Sequence, residues 1–364
     1  MQALVDAFST MQALVDAFSM HALSHTTAIA GICCAVVVLV VYRRADDGGI
    51  PWATGAVLDV RREATFSLVD AATSTPAFGA WTFDHRREDE AAWGGAWAGS
   101  AQTFDAPGDY VVRATSADGA TTISGRVHAR YVRREVRSLS DRDREAFLQG
   151  VMAMQRLPAD VGSRLYGSAY RSKDHFNRLH LYYGGRAACD HWHQGAGFVT
   201  SHVALTLEYE RSLQAIYPWA TVPYWDISLE STFYDAAAWR TSAVFRGDWF
   251  GAAAPANGLR ALAAGRFAFA PTMANARRFS RVANGYGLLR APWNADPTPF
   301  LTRSGHVYGY PNNMKPSGCA EFARAVRAAD WASLARQLNS AAHGHVHETL
   351  GGSWHHDLGA PATP

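Results

Sequence analysis

Histidine density in the middle of the chain constrains this sequence more strongly than any other feature. Five histidines lie between Asp174 and Asp226: His175, His180, His191, His193 and His202. A histidine that stands alone is most often a hydrogen-bonded core or surface residue. Imidazole is also a preferred ligand for copper, zinc and iron, and packing alone does not account for a cluster of this density. The segment therefore predicts a metal centre that is built from histidine side chains.

The sequence ahead of this cluster predicts the start of a helical domain. Ser140 and Asp143 form a pattern similar to a capping box, which marks the N-terminus of a helix. Apolar residues then follow at helical spacing: Phe147, Leu148, Val151 and Met152. We therefore predict a mainly α-helical domain over residues 138–364, with the histidine cluster inside it.

Two histidines of the cluster have positions that suit one metal. Eight residues separate His193 from His202. His202 lies near the start of a predicted helix that would hold its ring, whereas His193 lies beside a glycine-containing loop that lets its ring adjust. Glu210 lies two turns beyond His202 on the same helix. It is either an outer partner of the metal site or a structural ion-pair residue, and a solvated position on an exposed face is equally open.

Four features of this segment, in this order, resemble the tyrosinase and catechol-oxidase family of type-3 copper proteins. They are the spacing of His193 and His202, the aromatic Phe198 before His202, the acidic stretch 207–213 (LEYERSL) and the sequence 222–226 (VPYWD). The corresponding family motifs are similar to LEFERAL and LPYWD. The resemblance implies a domain in which two copper ions are each held by three histidines.

The resemblance also implies three ligands for the first copper. His193 and His202 match the second and third ligands of the family motif, and His180 is expected to be the first. His180 fits better than His175, because Phe176 lies four residues before His180, where the family often has a phenylalanine.

The second copper site is implied by His343 and His347, which precede Gly351 and Gly352. A spacing of four places the two side chains on one face of a helix, with their Cβ atoms about 5–6 Å apart. An H-x-x-x-H pair also occurs in zinc sites, but no glutamate follows His343 to make the H-E-x-x-H hydrolase motif. His345 lies between the pair and is expected to point away from the metal.

The resemblance has one departure, at the end of the chain. Family members take the third ligand of the second copper from a later segment similar to FFLHHANVDRLW, and no such segment precedes Pro364. We therefore expect the copper domain of this chain to be C-terminally incomplete. His355 and His356 stay open as substitute ligands.

The family resemblance implies a copper-dependent oxidase that uses O2 on phenolic small molecules. Gly344 follows His343 directly, where some phenol-hydroxylating members have asparagine, and residues 331–342 contain no glutamate. This favours oxidation of o-diphenols (catechols) over hydroxylation of monophenols. Two alternatives stay open: a hemocyanin-like oxygen binder, and a membrane protein with an incomplete, non-catalytic copper site. Because the formal net charge is only +2, nucleic acid is not an expected partner.

A tandem duplication opens the chain, and a long uncharged run follows it. Residues 1–9 recur as 11–19 within an N-terminal segment over residues 1–25, and no Asp, Glu, Lys or Arg occurs from Ala17 to Tyr42. This run predicts a single-pass transmembrane anchor over residues 26–44, with a cleaved signal peptide and a buried helix as alternatives. The two arginines that follow favour a cytoplasmic copper domain, whereas the family usually acts in a secretory or organellar lumen, so the side stays open.

Residues 52–134 predict a β-rich module between the anchor and the copper domain. Apolar and polar residues alternate in 65–69 and in 110–114, and Asp118-Gly119 predicts a turn before a third alternating run that ends at Tyr131. A two-layer sandwich accommodates such strands. The predicted fold class is therefore α+β, with an N-terminal transmembrane helix, a small β-sandwich-like module and a mainly α-helical, C-terminally incomplete copper domain.

Overall fold

The computed structural model describes residues 37–42, 56–70, 81–98, 101–184, 190, 192–193, 197–273, 299–303, 305–307, 310–311 and 314–350. The chain divides into two compact units, Met1–Val132 and Arg133–Pro364. Each unit has its own hydrophobic core.

The first unit is made of β-strands. Its strands are β1 (Val37–Tyr42), β2 (Ala56–Asp59), β3 (Glu63–Asp70), β4 (Trp81–Arg87), β5 (Trp97–Ala98), β6 (Ala101–Thr103), β7 (Gly108–Ser116) and β8 (Thr122–Arg130). They form a three-stranded sheet in the order β1-β3-β6 and a five-stranded sheet in the order β2-β8-β7-β4-β5. Neighbouring strands are antiparallel, except that β2 and β8 are parallel.

The two sheets bury their inner faces in one aromatic core. Phe66 on β3 contacts Phe83 on β4, with ring centroids 6.3 Å apart, so side chains from both sheets meet. Tyr110 on β7 is also buried there. The strands predicted from alternation at 65–69 and 110–114 are confirmed, and so is the turn at Asp118-Gly119, where Gly119 has a φ of +72°.

The transmembrane helix that the sequence predicts over residues 26–44 is wrong. Val37–Tyr42 forms strand β1 instead, and it pairs antiparallel with β3 from Val37 opposite Asp70 to Tyr42 opposite Thr65. Four of the six residues are valine, and β-branched side chains favour strands. Among the residues described, no helix is long and apolar enough to cross a bilayer. The rest of that range and the segment 1–25 lie outside the described residues, and the predicted membrane anchor has no support.

The second unit is mainly helical. Its α-helices are α1 (Asp141–Arg156), α2 (Ala159–Tyr166), α3 (Lys173–Gly184), α4 (Gly197–Ile216), α5 (Ile227–Phe233), α6 (Cys319–Val326), α7 (Trp331–Gln337) and α8 (His345–Leu350). A π-helix, Leu338–Gly344, joins α7 to α8 without a break. Short 3₁₀ helices occur at Val136–Ser138, Ala236–Thr241 and Ala243–Phe245, and the two-residue strands β9 (His306–Val307) and β10 (Tyr310–Pro311) pair with each other.

The helix N-terminus that the sequence predicts at Ser140 is confirmed. Ser140 is the N-cap of α1, and its hydroxyl accepts a hydrogen bond from the backbone N–H of Asp143. Helix α1 packs closely on α4, because a Cβ at Gly150 would lie only 2.2 Å from Cδ1 of the buried Leu213. This close approach allows α4 to be a rigid support inside the core.

Helix α3 is fixed to α4 by one aromatic contact and one buried hydroxyl. The rings of Phe176 and Tyr209 lie 5.0 Å apart between centroids. The hydroxyl of Ser212 is buried, donates to the carbonyl of Arg171 and accepts from its N–H, at 2.9 and 2.8 Å. These contacts hold the segment that enters α3, so a side chain on α3 faces α4 in a defined position.

Glu210 is a structural ion-pair residue, and the solvated alternative is excluded by its burial. It lies 4% exposed and binds the guanidinium of Arg133 through both carboxylate oxygens, at 2.9 and 2.8 Å. It also accepts a hydrogen bond from the backbone N–H of Val222. These contacts tie α4 to the chain entering the unit and to the VPYWD segment.

Candidate metal centre

The structure brings all five predicted copper ligands together. His180 lies on α3, His193 lies on the segment between α3 and α4, and His202 lies in the first turns of α4. His343 lies on the π-helix, and His347 lies on α8. We call the first three the three-histidine group and the last two the histidine pair.

The three-histidine group has the geometry of a site for one metal. Ligand nitrogens of His180, His193 and His202 all lie within 4.8 Å of one another. The Nε2 atoms of His180 and His193 are 3.0 Å apart. Imidazole nitrogens bound at about 2.0–2.1 Å to one divalent metal lie roughly 3 Å apart, so this spacing fits two ligands of one ion.

A buried carboxylate orients His193. Both carboxylate oxygens of Asp190 lie within hydrogen-bond distance of Nδ1 of His193, at 3.0 and 2.9 Å. The Asp190 side chain is fully buried. A carboxylate accepts, so Nδ1 of His193 carries a proton and Nε2 is the ring nitrogen that faces the other histidines. The same carboxylate accepts from the backbone N–H groups of Trp192 and His193, which fixes the backbone at these two residues as well.

A backbone carbonyl orients His202 in the same way. The Nδ1 atom of His202 lies 2.8 Å from the carbonyl oxygen of Phe198, one turn earlier on α4. Because that oxygen can only accept, Nδ1 donates and Nε2 has a free lone pair. Within the described part of the chain, Nε2 of His202 is buried without a hydrogen-bond partner. A buried polar nitrogen without a partner is costly in a protein and is expected where a metal binds.

The histidine pair also matches one metal. Nε2 of His343 and Nε2 of His347 lie 3.0 Å apart, and the ring centroids lie 4.6 Å apart. The sequence predicts a helix here, and the structure has a π-helix that passes into α8 after His343. Such wide turns occur often at functional sites.

The two histidine groups are in direct contact. The rings of His193 and His343 stack with centroids 5.8 Å apart, and those of His202 and His343 are 5.3 Å apart. Phe198 fills the space beside them, at 5.1 Å from His343. Two metals bound at these groups would therefore be neighbours.

Burial holds the cluster in the neutral form that binds metal. Desolvation lowers the pKa of His180 to about 3 and that of His343 to about 3, and neighbouring rings add to both shifts. Burial likewise lowers the pKa of His347 to about 4 and lowers the pKa of His202. A ligand must be deprotonated to bind, so no proton has to leave these rings at neutral pH. Imidazole nitrogens are a donor set that fits copper.

Gly184 leaves the space that His193 occupies. A Cβ at this last residue of α3 would lie 2.5 Å from Cε1 and 2.9 Å from Nδ1 of the His193 ring. Real side chains do not tolerate such distances, so a larger residue here would move the ring. The end of α3 thus shapes the metal centre through the absence of a side chain.

Other histidines near the motif are placed elsewhere. His175, the alternative first ligand, lies 2.7 Å from a carboxylate oxygen of Glu208 and does not join the three-histidine group. His345 lies 2.6 Å from the carbonyl oxygen of Lys315. His191, His355 and His356 lie outside the described residues.

Sequence analysis did not identify three residues that contact the histidines. Asp190 is one, and its position three residues before His193 is a signal for an aspartate that binds nearby backbone N–H groups. Trp192 is another, with its ring 5.8 Å from both His180 and His202, and Tyr183 stacks on its outer side at 5.3 Å. Asn339, on the π-helix, contacts both groups and has no recognisable sequence signal.

Comparison with known protein families agrees with this geometry. The family model for the common central domain of tyrosinase matches residues 170–364, more than half of the chain and the part that contains all five histidines. None of the curated proteins compared with the sequence matches it. The matched domain implies that copper is the metal these histidines would hold. The chain belongs to the tyrosinase family, the type-3 copper proteins.

Proposed function

We propose that this chain oxidises o-diphenols with O2, using two copper ions that the three-histidine group and the histidine pair would hold. The observation that carries the proposal is the contact between the groups, with the His202 and His343 rings 5.3 Å apart. Metals held side by side can act together on one small molecule. A mononuclear site would not need the second group at this distance.

The reaction balances with two diphenols for each O2. Each o-diphenol loses two electrons and two protons to become an o-quinone, and O2 takes up four electrons and four protons to become two water molecules. Bound copper would supply this redox chemistry, as metal cofactors do in general.

The protein's own residues present the ligand atoms. Asp190 and the Phe198 carbonyl accept the Nδ1 protons of His193 and His202, which leaves each Nε2 free. Trp192 lies against His180 and His202 and helps to fix their rings. A preoriented set of imidazoles is the part of the chemistry that the chain contributes.

Gly344 supports a diphenol rather than a monophenol as the substrate. Some phenol-hydroxylating relatives have asparagine at this position, and Gly344 provides no side-chain amide there. We expect catechols to be oxidised and monophenols to be hydroxylated slowly or not at all.

The test is O2 uptake by the copper-loaded chain with catechol as substrate, and His202→Ala is the matched control. We expect two quinones for each O2 consumed, no reaction in the variant, and little reaction with a monophenol. A chain that carries two coppers and consumes no O2 with catechol would overturn the proposal. Reversible O2 binding without quinone would favour the hemocyanin-like alternative.

A further inference from the structure

Asn339 on the π-helix makes a hydrogen bond to each histidine group. Its side-chain nitrogen Nδ2 donates to the backbone carbonyl of His193, and its oxygen Oδ1 lies 3.3 Å from Nδ1 of His343. The residue is partly buried, and its two partners are 146 and 4 residues away in sequence. One amide thus joins a loop of the three-histidine group to a ring of the histidine pair.

The Asn339 amide can make both contacts in only one orientation. A backbone carbonyl accepts and cannot donate, so the amide nitrogen of Asn339 must face His193. The amide oxygen then faces His343, and because that oxygen also only accepts, Nδ1 of His343 must carry the proton. The neutral His343 ring is left with a bare Nε2, the atom that lies 3.0 Å from Nε2 of His347.

We propose that Asn339 is a positioning residue that sets the ring tautomer of His343 and thereby links the histidine pair to the position of His193. The inference rests on the proposed function in one respect, because it takes His343 as a metal ligand. Asn339 does for His343 what Asp190 does for His193, except that the Asn339 amide is itself oriented by the other group. A displacement of the His193 backbone would therefore move the Asn339 amide and change its hydrogen bond to the His343 ring.

The neighbouring Ser340 supplies a matched control on the same π-helix. Its hydroxyl donates to the carbonyl of Arg336 at 2.8 Å, and the residue is exposed. Ser340→Ala removes a local helix hydrogen bond of the π-helix and leaves the contacts of Asn339 unchanged. A general effect of weakening this helix is therefore separated from the specific effect of the Asn339 amide.

The first test measures the tautomer of His343 in the metal-free full chain, by nitrogen-15 NMR of the imidazole nitrogens. We expect the Nδ1-protonated form in the natural chain, in Ser340→Ala and in Asn339→Asp, whose carboxylate keeps an acceptor for His343. Asn339→Leu has a similar size without a side-chain acceptor, so only the backbone carbonyl of residue 339 remains beside His343 and the share of the Nδ1-protonated form should fall. Asn339→Ala serves the same purpose if the leucine variant does not fold. An unchanged His343 tautomer in the folded leucine or alanine variant would overturn the proposal.

The second test measures copper binding by each variant. Loss of an outer partner of a ligating histidine lowers metal affinity by roughly 10- to 100-fold, and we expect this loss for the weaker of the two copper ions in Asn339→Leu. Ser340→Ala should bind copper as the natural chain does. Equal copper affinities in Asn339→Leu and Ser340→Ala would contradict the proposal. The tautomer is measured without metal, so a chain that fails to oxidise catechol still tests Asn339, and a failed Asn339 test leaves catechol oxidation unaffected.

Discussion

The two histidine groups of this molecule are assembled in different ways. The three-histidine group takes its rings from α3, from the segment after α3 and from α4, so its geometry depends on how α3 packs against α4. The histidine pair takes both rings from one continuous helical stretch, where a spacing of four residues is sufficient to bring them together. One group depends on tertiary packing and the other on local geometry.

The outer contacts of the two groups differ as well. The three-histidine group has a buried carboxylate at His193 and a helix carbonyl at His202, both close to their ligands in sequence. The described contact to His343 comes from the neutral amide of Asn339. A carboxylate holds an imidazole N–H more strongly than an amide does. With three described imidazoles against two, the three-histidine group is expected to bind copper more tightly.

Removing one ring of the three-histidine group should have the largest effect. His202→Ala takes one of three imidazoles from a rigid helix, and the loss of affinity should exceed the roughly 10- to 100-fold that follows from losing an outer partner. Equilibrium copper binding measures it, with circular dichroism to confirm that α4 is intact. His175→Ala is the control, because His175 pairs with Glu208, and it should bind copper normally. Full copper stoichiometry in His202→Ala would indicate that His175 or His191 is a ligand of the first copper instead.

Removing the carboxylate behind His193 should have the next largest effect. Asp190→Ala frees the Nδ1 proton of His193 and two backbone N–H groups, and we expect roughly 10- to 100-fold weaker binding of the tighter copper. The weaker copper should also bind less tightly, but by a smaller factor, because Asp190 acts on His343 only through the His193 backbone and Asn339. Asp174→Ala, which removes a partner of Lys173, is the control. Unchanged binding of the tighter copper would contradict this role of Asp190.

Acid should destabilise the metal-free chain, because buried histidines of both histidine groups become protonated when the chain unfolds. In the unfolded chain these imidazoles titrate near their ordinary pKa of about 6.5, whereas burial lowers the folded pKa of His180 and His343 to about 3. Between those values the unfolded state binds more protons, so the free energy of unfolding falls as the pH decreases from 6.5. Each of these two histidines lowers the free energy of unfolding by up to about 2 kcal/mol when the pH falls from 7 to 5.

Urea unfolding at several pH values measures this dependence. His180→Gln and His343→Gln each remove one buried imidazole. Each variant should therefore show a weaker pH dependence of the unfolding free energy, and the reduction should be similar in the two. A variant that keeps the full dependence would show that its histidine is already protonated or accessible to water in the folded chain.

The smallest effect is expected from Gly184→Ala. The added Cβ meets the His193 ring at 2.5 Å, so the ring must shift while the other ligands stay in place. We expect the tighter copper to bind several-fold to about 10-fold more weakly, at or below the lower end of the roughly 10- to 100-fold range for a lost outer contact. Gly258→Ala is the control, because its Cβ meets nothing within 4 Å. Unchanged binding in Gly184→Ala would show that the loop carrying His193 adjusts freely.

The sequence was sufficient where structure follows from local pattern. The Ser140 cap, the strands of the first unit and the H-x-x-x-H pair are all set by neighbours a few residues apart, and the structure has each of them. Family resemblance supplied His180 in preference to His175, a choice that local spacing leaves open. The structure places His180 with His193 and His202.

Sequence patterns did not predict the features that depend on contacts between residues far apart in the chain. The apolar run ending at Tyr42 has the length and composition of a membrane span, yet Val37–Tyr42 gains a hydrogen-bonded partner in β3, about 25 residues further on. The roles of Asp190 and Asn339 also depend on which groups face them in three dimensions. Asn339 meets His193 across 146 residues, and no periodicity or motif reports such a contact.

Five histidines form two adjacent candidate metal sites with different numbers of described ligands. Anomalous diffraction from copper-loaded crystals, recorded on both sides of the copper absorption edge, locates the ions at these sites. We expect one strong peak within bonding distance of Nε2 of His180, His193 and His202, and a second, weaker peak beside His343 and His347. A single peak, or peaks at His175 or His345, would show that the two sites are not built from these five histidines.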